Sequence, residues 1–483
     1  MVDFAMAGKR PNILFAIADD ASHMSAYGHS FVSTPAFDRV ADDGVRFDAA
    51  FTSNPKCAPS RASLLTGRHT WQLEEACNHF GIFPAKFDVF PDILEEAGYA
   101  VGFTGKGWAP GDWKAGGRSR NPAGPAWNER TLSPPNSCIS NKDYAANFED
   151  FLDASGDAPF YFWYGGHEPH RPYDPGEGER AGVDGAAVAV PAYLPDEDPV
   201  RGDLADYAAE VAWFDRHLGK MLETLEARGL LEDTLVVVTS DNGMPFPRVK
   251  GQMYEADFRL PMAAMWRGTI AGGRVIADLV SFVDLAPTFL DAAGLGTSPS
   301  MSGRSLLPLL TSSESGVIDK TRTRVYMGRE KHDLGRENDL GYPVRCVRTP
   351  RFLYVRNFAP DRWPAGNPET GFTNIDSSPT KCLILDQHSS GNDYYFNLAM
   401  GKRPAEELYD IVVDPDCLDN LAADPDFASV RRELAAELLS VLRAQGDPRA
   451  LGNGDVLEAY EYTGADHHSW KAYVEGRWQA QWY

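Results

Sequence analysis

The sequence contains no apolar run long enough to cross a bilayer as a helix. Its most apolar stretches, residues 12–18, 160–165 and 234–240, are strand-sized and broken by polar residues, so no transmembrane helix and no membrane partner are expected. Positive charge is scarce: 46 Lys and Arg face 69 Asp and Glu, a net charge of −23. Such a field repels phosphate backbones, and without a basic cluster nucleic acid is not an expected partner. An anionic substrate would need a local cationic pocket. Cysteine is sparse too. Cys57, Cys77, Cys138, Cys346, Cys382 and Cys417 show neither zinc-type spacing nor the density of a disulfide scaffold, so reduced thiols are expected. Internal repeats and low-complexity tracts are absent. Residues 1–8 carry Asp3 and no basic stretch ahead of an apolar one, unlike a secretory signal. The chain as written is therefore expected in the cytoplasm, or in the periplasm or outside the cell had a signal been removed.

What is present is a chain of 483 residues, 43% of them hydrophobic, enough for a large core. Between residues 10 and 315 short apolar runs alternate with helix-like segments, the pattern of an α/β domain with a large, mostly parallel sheet flanked by helices. Strands are predicted over residues 12–18, 99–104, 160–164 and 235–239. Helices are predicted over 35–43, 59–66, 90–97 and 204–228, with Pro59 in a first turn and Gly98 as a stop. The Gly-, Pro- and Asn-rich stretches 109–135 and 172–199 read as long loops of the kind that border active sites. From 316 to 483 the rhythm changes to β-rich segments at 324–327, 344–347 and 352–356, closed by a helix over 427–444. That predicts a smaller C-terminal α+β subdomain with a short antiparallel sheet.

Asp19 and Asp20 stand at the C-terminal end of the first predicted strand, where ligands collect in open parallel sheets. Asp241 and Asn242 stand at the end of another. Either pair alone reads as a turn or cap. Together they offer three carboxylates and an amide, an all-oxygen set suited to Ca²⁺ or Mg²⁺ rather than zinc.

The run from Cys57-Ala58-Pro59-Ser60-Arg61 to Leu65-Thr66-Gly67-Arg68 resembles the signature of the type I, formylglycine-dependent sulfatases of the alkaline phosphatase superfamily. Further segments resemble the sulfamidase, or heparan N-sulfatase, group in particular. They are Arg10-Pro11-Asn12, His167-Glu168-Pro169-His170-Arg171, the run from Ser240 to Pro247, Tyr342-Pro343-Val344-Arg345 and Glu407-Leu408-Tyr409-Asp410. The likeness covers roughly residues 10–440 and implies a sulfatase acting on a sulfate ester or sulfamate of a saccharide. It implies that a formylglycine-generating enzyme oxidises Cys57 to an aldehyde, whose hydrate, bound to the cation beside Asp19, Asp20, Asp241 and Asn242, is the nucleophile. Arg61 would pair with that site, Lys106 and Lys250 would hold the sulfate, and His167 would protonate the leaving atom. A cation acidifies a hydroxyl, and a helix start at Pro59 directs positive potential at an anion.

One position departs from the pattern. Many members carry a histidine two residues after the lysine, where this chain has Trp108. The base for sulfate release is then open, with His23 as a candidate, and Trp108 is free to stack on a sugar. Trp113, Trp127, His170, Arg171, His332 and Arg345 complete the candidate substrate contacts. Two other readings stand beside this one: a phosphodiesterase or phosphonate monoester hydrolase using the same site, and an inactive glycan-binding relic in which Cys57 stays a thiol.

Overall fold

The computed structural model describes residues 10–479, so the reading of residues 1–8 lies outside the described residues. At its centre is β1 (Asn12–Ala18), buried along its whole length as a strand covered on both faces must be. Alternation sends Leu14, Ala16 and Ala18 into one apolar core and Ile13, Phe15 and Ile17 into a second. The other strands of its seven-stranded sheet are β2 (Val45–Phe47), β3 (Ala100–Gly105), β4 (Phe160–Gly165), β5 (Thr234–Ser240), β6 (Met262–Met265) and β7 (Arg274–Ile276). They run in the order β7-β2-β6-β5-β1-β4-β3. Only β6 is antiparallel to its neighbours, so the sheet is mixed but mostly parallel. Ala18 of β1 faces Ser240 of β5, and the residues that follow these two strands emerge side by side.

Helices α1 (Pro35–Asp42), α4 (Tyr144–Ser155) and α5 (Asp198–Ala227) cover the first core; α2 (Cys57–Thr66), α3 (Phe90–Glu96) and α6 (Leu285–Ala292) cover the second. Two starts differ from expectation. Helix α5 begins at Asp198 rather than 204 because Pro199 fits its first turn. Helix α2 begins at Cys57 rather than Pro59, with extended Lys56 as N-cap, which places Cys57 in the first turn with its backbone N–H among the unpaired ones.

A second, four-stranded antiparallel sheet follows in chain order: β8 (Val325–Arg329), β9 (Val344–Arg348), β10 (Phe352–Asn357) and β11 (Glu406–Asp410). Strand β11 was not expected, since its acidic residues Glu406, Glu407 and Asp410 mask the apolar Leu408 and Tyr409. One face packs on Phe51, Tyr254 and Phe258, and the other is covered by α7 (Ala428–Ala444) through Leu434, Leu438 and Leu442. Between β10 and β11 the chain returns to the large sheet, where Phe372, Ile375 and Ile384 join the first core. That return carries residues 365–376 to the carboxyl edge of β1 and β5. No helix among the described residues is long and apolar enough to cross a membrane.

Candidate active site

Strand β1 runs directly into Asp19 and Asp20, and β5 into Asp241 and Asn242. The two ends are tied together: the Asp20 amide donates to Asp241 Oδ1 at 3.1 Å, and Asn242 Nδ2 donates to Asp20 Oδ1 at 2.7 Å. Asp20 adopts a φ of 77°, a left-handed conformation that non-glycine residues enter at a cost and that recurs at functional sites. The first turn of α2 reaches the same point. One ligand atom each from Asp19, Asp20, Asp241 and Cys57 lies within 4.8 Å of every other, all four residues being buried.

Cations surround this cluster. Arg61, one turn into α2 and fully buried, donates from Nε to Asp241 Oδ2 at 2.7 Å and from Nη1 to the Lys106 and Gly107 carbonyls at 2.7 and 3.0 Å. Lys106 Nζ lies 2.5 Å from Asp19 Oδ2. Its loop follows β3 and presses against the end of β4, where a side chain on Gly165 would put a Cβ 1.9 Å from the Lys106 carbonyl oxygen. Lys250 Nζ lies 2.6 Å from Asp20 Oδ2 and 3.1 Å from Asp376 Oδ2. Lys106, Lys250 and Cys57 line a cavity of about 480 Å³ together with His167, which is exposed at its mouth, and His170. His170 Nε2 is 3.9 Å from Asp20 Oδ2, and its Nδ1 is 2.6 Å from the Arg171 carbonyl.

The electrostatics follow from burial. Burial pushes the Asp20 carboxyl up to about 6 despite Lys250, and that of Asp241 up to about 7 despite Arg61. Burial acts on Asp19 as well, but Lys106, His170 and Arg61 outweigh it and hold that carboxyl well below the usual range. The Cys57 thiol is raised well above its ordinary value by burial and by Asp19, so it is protonated at neutral pH. Two oxygens of the set, Asp19 Oδ1 and Asn242 Oδ1, are buried without a hydrogen-bond partner. Orphaned oxygens in an all-oxygen donor set fit a hard divalent cation such as Ca²⁺ or Mg²⁺.

The expected substrate contacts fare unevenly. His170 reaches the cavity. Arg171 lines it, but its guanidinium is spent on Asp203 at 2.7 and 2.8 Å and on the Pro245 carbonyl at 2.9 Å. Trp108 is a correction: its ring is buried against Phe83, its Nε1 donates to the Ala58 carbonyl at 3.0 Å, and it braces α2 rather than facing the cavity. Arg345 is another, fully buried between Asp447 and Glu330 at 2.8 and 2.7 Å. His332 is buried as well, 3.1 Å from Asn54 Oδ1. The rings of Trp113 and Trp127 pack against the two apolar cores. His23 sits behind Asp20 among His29, Phe31 and Tyr207, where burial lowers it to about 3, and it does not line the cavity. Residues the sequence did not single out complete the lining: Lys56, His79, Phe80, Glu210, Asp333 and Asp376. Only Lys56, adjacent to Cys57, stood beside a visible motif.

An α/β sheet that gathers carboxylates, lysines and a helix-start cysteine at one edge has the arrangement of a hydrolase for anionic esters. Family models place it further: one described as sulfatase matches residues 11–295, and one described as N-sulphoglucosamine sulphohydrolase, C-terminal, matches residues 249–360. The chain belongs to the sulfatase family and is a sulfuric ester hydrolase. N-sulphoglucosamine sulphohydrolase of Homo sapiens is 30% identical over 497 residues, covering 92% of this chain and 93% of that one. An ulvan-active sulfatase of Formosa agariphila is 27% identical, covering 93% of this chain and 77% of its own. Among solved structures, a protein in complex with its substrate D-glucosamine-2-N,6-O-disulfate shares the fold, with a TM-score of 0.66 at 21% identity over 91% of this chain and 99% of that one. Formylglycine and a divalent cation are general to the family.

Proposed function

We propose that the protein removes sulfate from a sulfated saccharide, as ester or sulfamate, with Cys57 converted to formylglycine by a formylglycine-generating enzyme. The observation that carries this reading is the position of Cys57, in the first turn of α2 and within 4.8 Å of three buried carboxylates. The protonated thiol itself is a poor nucleophile there, which favours a modified residue over thiol chemistry. Asp19, Asp20, Asp241 and Asn242 would hold Ca²⁺ or Mg²⁺, which when bound acidifies a hydroxyl and polarises the sulfuryl oxygens.

The chain's own residues divide the remaining work. Lys106, mostly buried, and Lys250, buried, both beside the cluster, place positive charge where the sulfuryl oxygens become more negative in the transition state. The start of α2 adds its dipole. Arg61 fixes Asp241 and the Lys106 loop relative to each other. His167, at the mouth, is placed to donate a hydrogen bond to the departing oxygen or nitrogen from a ring that desolvation, with Lys106, lowers to about 4 and keeps neutral in the free enzyme. Likeness to N-sulphoglucosamine sulphohydrolase supports a sulfated amino sugar as the substrate class, and the ulvan-active relative supports a glycan more broadly.

Two measurements test this. Mass spectrometry of the Cys57 peptide, from a host with the maturation enzyme, is expected to find the lighter aldehyde form. Turnover of N-, 2-O-, 3-O- and 6-O-sulfated mono- and oligosaccharides is expected for at least one member of the panel and is abolished by Cys57→Ala. Full turnover by Cys57→Ala, or faster cleavage of phosphate diesters than of any sulfate, overturns the reading.

A further inference from the structure

The cavity has a second wall that sulfate chemistry leaves unused. It is built from His79 and Phe80, with Asp333 and Lys56 behind them. His79 Nδ1 lies 2.9 Å from Asp333 Oδ1, and Asp333 Oδ2 lies 3.0 Å from Lys56 Nζ. Burial alone would raise the Asp333 carboxyl, but Lys56 and His79 hold it well below the ordinary range. An ionised carboxylate only accepts, so the hydrogen between the two residues belongs to Nδ1. Burial lowers His79 to about 4, which leaves a neutral ring with its lone pair on Nε2. That Nε2 is buried without a partner, on a residue only 7% exposed that lines the cavity. It is an acceptor awaiting a donor.

The neighbouring backbone shows that this placement is held against strain. Phe80 has a φ of 53°, a left-handed conformation that a non-glycine residue enters at a cost and that persists only where the surroundings over-determine it. Here they do: His79 donates its amide to the Lys331 carbonyl at 3.0 Å, and the Phe80 carbonyl accepts from both Thr463 N and Thr463 Oγ1 at 2.8 Å. The Phe80 ring meets His79 edge-on at 4.7 Å and leans on Tyr462 at 5.1 Å. A strained turn, pinned at both residues, sets one bare acceptor and one aromatic ring in the lining of the cavity that Cys57 shares.

We propose that His79 and Phe80 form a subsite for the sugar ring that bears the sulfate, with His79 Nε2 accepting a hydrogen bond from a ring hydroxyl and Phe80 covering an apolar ring face. This rests on the saccharide sulfatase reading. The subsite selects a neutral hydroxyl donor over a carboxylate or a second sulfate, because an Nε2 lone pair fixed by the Nδ1 bond to Asp333 can accept a hydrogen bond but has none to give an anion.

The test uses the cation-loaded, converted enzyme and two probes, a sulfated glucosamine and 4-nitrophenyl sulfate, which has no ring hydroxyl. His79→Ala is expected to lower kcat/KM on the sugar by about 10- to 100-fold, chiefly through KM, with a loss on the aryl sulfate about ten times smaller. His79→Phe keeps the ring volume and removes the acceptor, and gives the same pattern should His79→Ala fold poorly. Equal losses on both probes, or an unchanged KM for the sugar in His79→Phe, overturn the subsite while leaving the sulfatase reading intact. A wild-type enzyme that cleaves neither probe overturns that reading and this inference with it.

Discussion

Two buried charge clusters sit in this protein, one at the carboxyl ends of β1 and β5, the other beneath the small sheet, and they are satisfied to different degrees. Under the small sheet, Arg345 bridges Asp447 and Glu330 at 2.8 and 2.7 Å, and Arg449 pairs Glu330 and Glu458 at 2.6 and 2.9 Å. Arg362 closes the network on Glu458 at 2.9 Å. None of these carboxylates has an orphaned oxygen. At the strand ends, by contrast, Asp19 Oδ1, Asn242 Oδ1 and Arg61 Nη2 are buried without a hydrogen-bond partner. A buried polar group left unpaired costs about 1–3 kcal/mol, so a fold keeps it only where something else supplies the partner. Completed networks hold structure, and incomplete ones receive ligands.

Breaking the completed network is expected to have the largest effect on stability. Arg345→Ala leaves Asp447 and Glu330 buried without their shared cation, a loss of about 3–5 kcal/mol, while kcat per folded molecule stays near wild type. Denaturant unfolding alongside active-site titration separates the two readouts. An equal loss of kcat would merge the two clusters into one functional unit.

The incomplete cluster is expected to respond to a ligand instead. Ca²⁺ or Mg²⁺ at about a hundred times its Kd stabilises the fold by about 2.7 kcal/mol, seen as a rise in Tm. Arg345→Ala keeps that rise and Asp20→Ala loses it; a cation-induced rise that survives Asp20→Ala would place the ion elsewhere.

Acidity sharpens the contrast further. Asp20 and Asp241 sit at about 6 and 7 in the fold, above their ordinary carboxylate values, so between pH 5 and 7 these two carboxyls bind more protons in the folded chain than in the unfolded one. Their contribution to the stability of the cation-free protein therefore falls as pH rises through this window, by roughly 1–2 kcal/mol per pH unit, against the opposite slope of buried histidines such as His23 and His79, which only the unfolded chain protonates there. Asp19 adds no slope there, being ionised in both states. Measured in chelator as the difference from an Asp20→Asn, Asp241→Asn variant, the Tm profile should decline from pH 5 to 7, and a saturating divalent cation should flatten it. A profile that climbs instead would contradict the assignment of these two carboxyls.

The smallest effect belongs to Trp108→Phe. It removes the hydrogen bond to the Ala58 carbonyl, worth about 0.5–1.5 kcal/mol, and leaves KM for a sugar sulfate unchanged because the ring does not reach the cavity. A raised KM would return Trp108 to the substrate site.

Much of this was legible without coordinates. Strand β1 announces itself as an unbroken apolar run closed by two aspartates, and α2 by its Cys-Pro-Ser-Arg start. Strand β6 is four small or flexible residues after a proline and carries no strand signal of its own; it forms because β2 and β5 flank it. Arg345 and Trp108 were misplaced for a related reason. Residue type tells what a side chain can bond to, and only packing decides whether that capacity is spent inside or left facing a ligand.

The sequence by itself determined the sulfatase signature at Cys57, the pairing of acidic strand ends and the α/β rhythm, because each is local chemistry or periodicity within a few turns of chain. Tertiary structure alone decided that Asp376 reaches Lys250 across 126 positions and that Asp333 orients His79 across 254. The first of these contacts depends on how the segment after β10 folds back onto the large sheet. No local preference encodes it, since it arises from burial of Phe372, Ile375 and Ile384 in a core built mostly from the other end of the chain.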